Sequence, residues 1–110
     1  MESFGEFIRK LRKQEGLNQT QLAAMIGLDM SAISKIENSK IKLKEDLLPK
    51  LAEIFRLDVN LIMEKYFSDK FAHEVYQNGI PETVFKIAEE KVKYFKAINT
   101  KHIDLNSKGN

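Results

Sequence analysis

Two short apolar-patterned segments, residues 19–26 and 30–38, are separated by only Gly27, Leu28 and Asp29. This spacing constrains the fold more than any other feature of the chain. Asn18, with Gln21 three residues on, is an N-cap signal for the first segment, and Asp29 is one for the second. Gly27 stops the first helix, because glycine accepts a positive φ at no steric cost. Leu22, Ile26, Ile33 and Ile36 supply apolar contacts between the two helices and a core beneath them. Ala23 is small enough for close approach, and Leu28 can plug the turn from inside. Two short helices crossing over such a turn make a helix-turn-helix, which is predicted over about Gln19 to Asn38.

More helices flank it. Ser3 and Glu6 form a capping box for a helix over Phe4 to Gln14, whose apolar stripe is Phe4, Phe7, Ile8 and Leu11. Gly16 lies where a left-handed residue would end it. Ser39 to Asp46 reads as a polar, basic loop. A fourth helix follows from about Leu47 to Arg56, with Pro49 in its first turn. Asp58 caps a fifth, starting near Val59 and reaching Gln77, with a break expected at Ser68–Asp69. Asn78-Gly79-Ile80-Pro81 is a stop and restart, and a last helix is predicted from Pro81 to about Asn99. The chain is thus expected to be all-α. Residues 1–66 would be the helix-turn-helix domain, 67–100 a helical extension and 101–110 a flexible tail.

Composition narrows the function classes. At 110 residues with 43% apolar side chains, one compact domain with an appendage can bury a sizeable core. There is no cysteine, which excludes disulfides and thiolate metal sites and makes the cytoplasm the expected compartment. No apolar run approaches the ~20 residues of a membrane span. The acidic, patterned start Met1–Glu6 is not a signal peptide. His73 and His102 are too few and too far apart for a metal motif, and there is no phosphate loop or nucleophile elbow. Neither enzymatic activity nor a cofactor is expected. The net charge is only +2, but Lys35, Lys40, Lys42 and Lys44 face a single acid, Glu37, in the same stretch. A run of this kind is a solvated loop or a basic binding face.

The segments Gly16-Leu17-Asn18-Gln19-Thr20-Gln21-Leu22-Ala23 and Ile33-Ser34-Lys35-Ile36-Glu37-Asn38 resemble the Xre family, the lambdoid phage repressor and Cro type. Leu51-Ala52-Glu53-Ile54-Phe55 and Asp58-Val59-Asn60 extend the likeness over about residues 4–66. The resemblance implies a five-helix DNA-binding domain whose third helix enters the major groove. By position, Met30, Ser31, Ser34 and Lys35 would read bases. Lys35 can donate to guanine, and Met30 can touch only an apolar edge such as a thymine methyl. Gln19, at the N-terminus of the second helix, would bind phosphate, with Asn38, Lys40, Lys42 and Lys44 on the other side. Arg12 and Glu37 match a structural ion pair of the family. Three departures stand out. Ser39 replaces a frequent glycine, the loop from Ile41 to Glu45 is longer, and Asp29 puts an acid near the DNA surface, where capping is the expected role.

The last third exceeds the five-helix module. Phe85, Ala88, Val92 and Phe95 step by three and four, and Val84, Ile87, Tyr94 and Ile98 widen the stripe. That face either folds back on the module or packs against a second copy. The second is the expectation, with Phe71, Val75 and Tyr76 joining Val84, Phe85, Ala88, Val92 and Phe95 in the interface. The resulting homodimer would read a palindrome. Ser68-Asp69-Lys70-Phe71 and Ala88-Glu89-Glu90-Lys91-Val92-Lys93-Tyr94 resemble restriction–modification controllers. Two alternatives are an antitoxin, whose C-terminal helices would cap a toxin, and an interaction module that binds no DNA.

Overall fold

A computed structural model of the chain describes residues 1–106, with side chains through Asn99. Among these residues there are six α-helices and no strand: α1 (Phe4–Gln14), α2 (Gln19–Ile26), α3 (Met30–Glu37), α4 (Leu48–Phe55), α5 (Val59–Asn78) and α6 (Thr83–Asn106). A 3₁₀ turn, Glu45–Leu47, leads into α4.

The helix starts follow local chemistry. Ser3 Oγ accepts from Glu6 N at 3.1 Å while Glu6 Oε1 accepts from Ser3 N at 3.2 Å. Asn18 and Gln21 make the same reciprocal pair for α2, at 2.7 and 2.8 Å. Asp29 Oδ1 accepts from Ala32 N at 2.7 Å, so its carboxylate is committed to capping α3. Gly27 ends α2 at φ 83°, the left-handed geometry that glycine reaches without strain.

The end of α3 answers the Ser39 departure. Ser39 itself adopts φ 59°, and Ser39 N and Lys40 N close the helix by donating to the carbonyls of Ile36 and Lys35. A serine here takes the conformation glycine would, at a cost of about 1–2 kcal/mol.

Two compact units divide the chain, Met1–His73 and Glu74–Asn110. The first reaches seven residues past the 66/67 boundary expected from the sequence, because the start of the chain engages α5 beyond Tyr66. Phe4 N donates to Asp69 Oδ2 at 3.3 Å, and Lys70 Nζ lies 2.6 Å from Glu45 Oε1. The same contact explains why the break expected at Ser68–Asp69 does not occur. The Asp69 carboxylate serves the start of α1 and does not compete for its own helix backbone.

Every element of the first unit contributes to one core. Leu22, Leu51 and Ile62 at its centre are at most 1% exposed. Around them lie Phe4, Phe7, Ile8, Ile26, Ile33, Ile36, Leu48 and Phe55. The predicted loop after α3 is pinned through Leu43. Its side chain is buried, and its carbonyl accepts from Tyr66 Oη at 2.7 Å. That anchor holds exposed Lys42 and Lys44 on either side of Leu43.

In the second unit α6 starts at Thr83, two residues after Pro81, and continues through Asn106, past the expected stop near Asn99. Residues 101–106 of the expected flexible tail are therefore helical, and 107–110 lie outside the described residues. No described α6 side chain is buried, and Phe85, Ile87, Val92, Tyr94 and Phe95 are all exposed. Among the described residues no helix is long and apolar enough to cross a membrane.

Candidate nucleic-acid interface

The turn at Gly27–Asp29 presents α3 with Ile33, Ile36 and Glu37 buried and the opposite face free. At 3.6 residues per turn, positions 30, 31, 34 and 35 share that face. Met30, Ser31 and Lys35 are exposed and Ser34 is half-buried. Met30 is 50% exposed, so its thioether is not core packing. Lys40, Lys42 and Lys44 are exposed after the end of the helix. Among the described residues none of these lysines, nor Lys35, has a carboxylate within ion-pair distance. Their charges are available to an anion.

Beneath this face a polar cluster ties α1, α2 and α3 together. Its centre is Glu37, which is 1% exposed. Arg12 approaches it as a fork, with Nε 2.7 Å from Oε2 and Nη2 3.0 Å from Oε1. The remaining Arg12 nitrogen, Nη1, donates to the Leu17 carbonyl at 2.9 Å. Gln19 Nε2 donates to Glu37 Oε1 at 3.1 Å, and Arg9 Nε reaches the same oxygen at 3.4 Å. Arg9 Nη2 donates to Asn38 Oδ1 at 2.6 Å, and Asn38 Nδ2 donates to the Ser34 carbonyl at 2.9 Å. No buried side-chain polar atom among the described residues lacks a partner.

The electrostatics follow from this packing. Burial pushes the Glu37 carboxyl up, but hydrogen bonds from Arg12 and Gln19 and the Arg12 charge outweigh it, and the pKa is lowered. Glu37 stays ionised and holds the end of α3 to α1 and to the N-terminus of α2.

The positions singled out in the sequence thus fall into two groups. Met30, Ser31, Ser34, Lys35, Lys40, Lys42 and Lys44 are at or near the surface around α3. Gln19 and Asn38 have their side-chain amides engaged in the Glu37 cluster, each with one amide hydrogen left over. Arg9 and Gly5 were not among the sequence candidates. Arg9 lies three residues before Arg12 on the same face of α1, and a glycine inside a first turn marks a close backbone approach. Gly5 is buried where α1 meets the backbone of Ile36 and Glu37.

The helix-turn-helix family model HTH_3 matches residues 8–62. The chain is 36% identical over 96 residues to the HTH-type transcriptional repressor RghR of Bacillus subtilis (strain 168), covering 86% of this chain and 69% of that protein. It is 31% identical over 58 residues to the ImmF control region 10 kDa protein of Bacillus phage phi105, covering 53% and 64% respectively. Among solved structures it is similar to the P22 c2 repressor protein crystallised with a synthetic operator. The TM-score is 0.52 and the identity 27%, over 56% of this chain and 94% of that one. With its five-helix first unit and a family match spanning half its length, the chain belongs to the Xre-type helix-turn-helix family and has the fold of the lambda-like repressor domains.

Proposed function

We propose that this protein is a sequence-specific, double-stranded-DNA-binding transcriptional regulator that acts in the cytoplasm as a homodimer on a two-fold symmetric operator. The observation that carries the reading is the exposed face of α3, Met30, Ser31, Ser34 and Lys35, bordered by cations with no carboxylate partner among the described residues. Lys35 donates to guanine N7 or O6, Ser31 and Ser34 accept or donate according to the base, and Met30 contacts a thymine methyl. Gln19 on one side and Lys40, Lys42 and Lys44 on the other set the register on the phosphates. The relative named as a repressor, and the P22 repressor solved with a synthetic operator, support the same reading.

The second unit and the end of α5 support the dimer in this reading. Phe71, Tyr76, Phe85, Ala88, Val92 and Phe95 are exposed, and Val75 and Val84 are half-buried. Exposed apolar side chains recurring along one helix, as they do on α6, support an association site there. One domain reads only a few base pairs, so pairing two on a two-fold axis supplies the missing specificity. The likeness of residues 68–71 and 88–94 to restriction–modification controllers supports such genes as targets.

Two variants separate readers from positioners. Lys35→Ala is expected to cost about 1–3 kcal/mol on the selected site and to relax specificity at one base position. Lys42→Ala should weaken all duplexes alike and make the salt dependence shallower by about one. Competition binding with single-base operator variants at several salt concentrations reads both. Identical behaviour of the two variants would refute the division of roles.

A further inference from the structure

We infer that Arg9 supplies a DNA phosphate contact at the C-terminal end of α3, and that Asn38 is its positioning residue, not itself the contact. The inference rests on the DNA-binding reading above and adds a residue to it.

Charge balance comes first. Glu37 carries one negative charge and faces two guanidinium groups. Arg12 neutralises it. That pair is forked and buried, and all three Arg12 nitrogens are engaged. Arg9 is the surplus cation. It touches Glu37 only through Nε, at 3.4 Å, and its side chain is 34% exposed. Its Nη1 has no protein acceptor among the described residues.

Position comes second. Arg9 Nε and Gln19 Nε2 share one oxygen, Glu37 Oε1, so Arg9 stands beside the N-terminus of α2. Its Nη2 bonds to Asn38, the residue that follows α3. Arg9 therefore bridges the two places where the sequence puts phosphate contacts.

Orientation comes third. The Asn38 amide is used on both sides, with Oδ1 accepting from Arg9 and Nδ2 donating to the Ser34 carbonyl. An amide held in this way keeps its oxygen on the cation and has a single hydrogen left over, so it is not free to turn its donors to a phosphate. It fixes the guanidinium plane instead, and a guanidinium ordered before binding loses less freedom when it meets an anion.

The test measures duplex affinity as a function of salt for the full chain. Variants are Arg9→Gln, Arg9→Lys, Asn38→Ala and the Arg9→Gln/Asn38→Ala double. Arg9→Gln keeps a donor for Glu37 and removes the charge. It should lose roughly tenfold in affinity on operator and unrelated duplex alike. Its slope of log K against log salt should be shallower by about 0.9. Arg9→Lys should restore the slope. Asn38→Ala should weaken binding in the wild-type background and add nothing in the Arg9→Gln background, because a positioning residue has nothing left to position. A purely structural role would lower the melting temperature and leave the slope unchanged. An Arg9→Gln slope equal to wild type, or an equal Asn38→Ala effect in both backgrounds, overturns the assignment alone. A wild-type chain that binds no duplex overturns the DNA reading with it.

Discussion

Gly5→Ala is expected to destabilise the first unit by about 3 kcal/mol, the upper part of the usual range for overpacking. In an ordinary helix interior the same change would stabilise by roughly 1 kcal/mol, since alanine is the better helix former. The sign reverses here because α1 crosses the last turn of α3 at Gly5. A Cβ there would collide with the Ile36 carbonyl oxygen and lie 2.7 Å from that of Glu37. Both are backbone atoms, so no rotamer change relieves the overlap. α1 would have to lift from α3, loosening Phe4 and Phe7 in the core and the Arg12–Glu37 fork together. At about 4–8 °C per kcal/mol for a domain of this size, the melting temperature should fall by more than ten degrees. A small rise would show that the two helices are not in contact at Gly5.

Glu37→Ala is expected to cost about 3–5 kcal/mol, the usual penalty for breaking a buried pair. The loss is large because Arg12 remains, nearly buried and with no acid opposite. Gln19 and Arg9 lose their shared acceptor at the same time. Replacing the pair together, with Arg12→Met and Glu37→Leu, should recover much of the loss, because no buried charge is then left alone. The pair also sets an acid dependence. The folded Glu37 pKa is lowered, so its contribution is fully present above the ordinary carboxylate value of 4.5 and is lost as the pH falls through the lower, folded value. Glu37→Gln should remove that part of the acid transition. Chemical denaturation across the acid range reads it, and an unchanged pH profile would count against an ionised Glu37.

What was legible in the sequence was what depends on near neighbours in the chain. The capping pairs Ser3/Glu6 and Asn18/Gln21 span three residues, and each forms as its spacing predicts. Residues 30, 31, 34 and 35 are singled out by the resemblance to the Xre family, and helical periodicity puts them on one face. The features missed depend on distant partners. The buried state of Leu43 is tied to the Tyr66 hydroxyl, and the unbroken α5 to the bond between Phe4 N and Asp69. Arg9 and Arg12 look equivalent on paper, both basic and on one side of α1. The fold separates them by burial, sealing one against Glu37 and leaving the other a third exposed. Gly5 carried a local signal, a glycine within a first turn, but the element it admits lies some thirty residues away.

Selection of bound sites from random duplex DNA reads sequence specificity and symmetry in one experiment. A two-fold symmetric consensus is expected, with half-sites about 34–36 Å apart, one helical turn, read by two copies of α3. Absence of any enriched sequence would contradict sequence-specific DNA binding, and an enriched site without two-fold symmetry would contradict the paired arrangement.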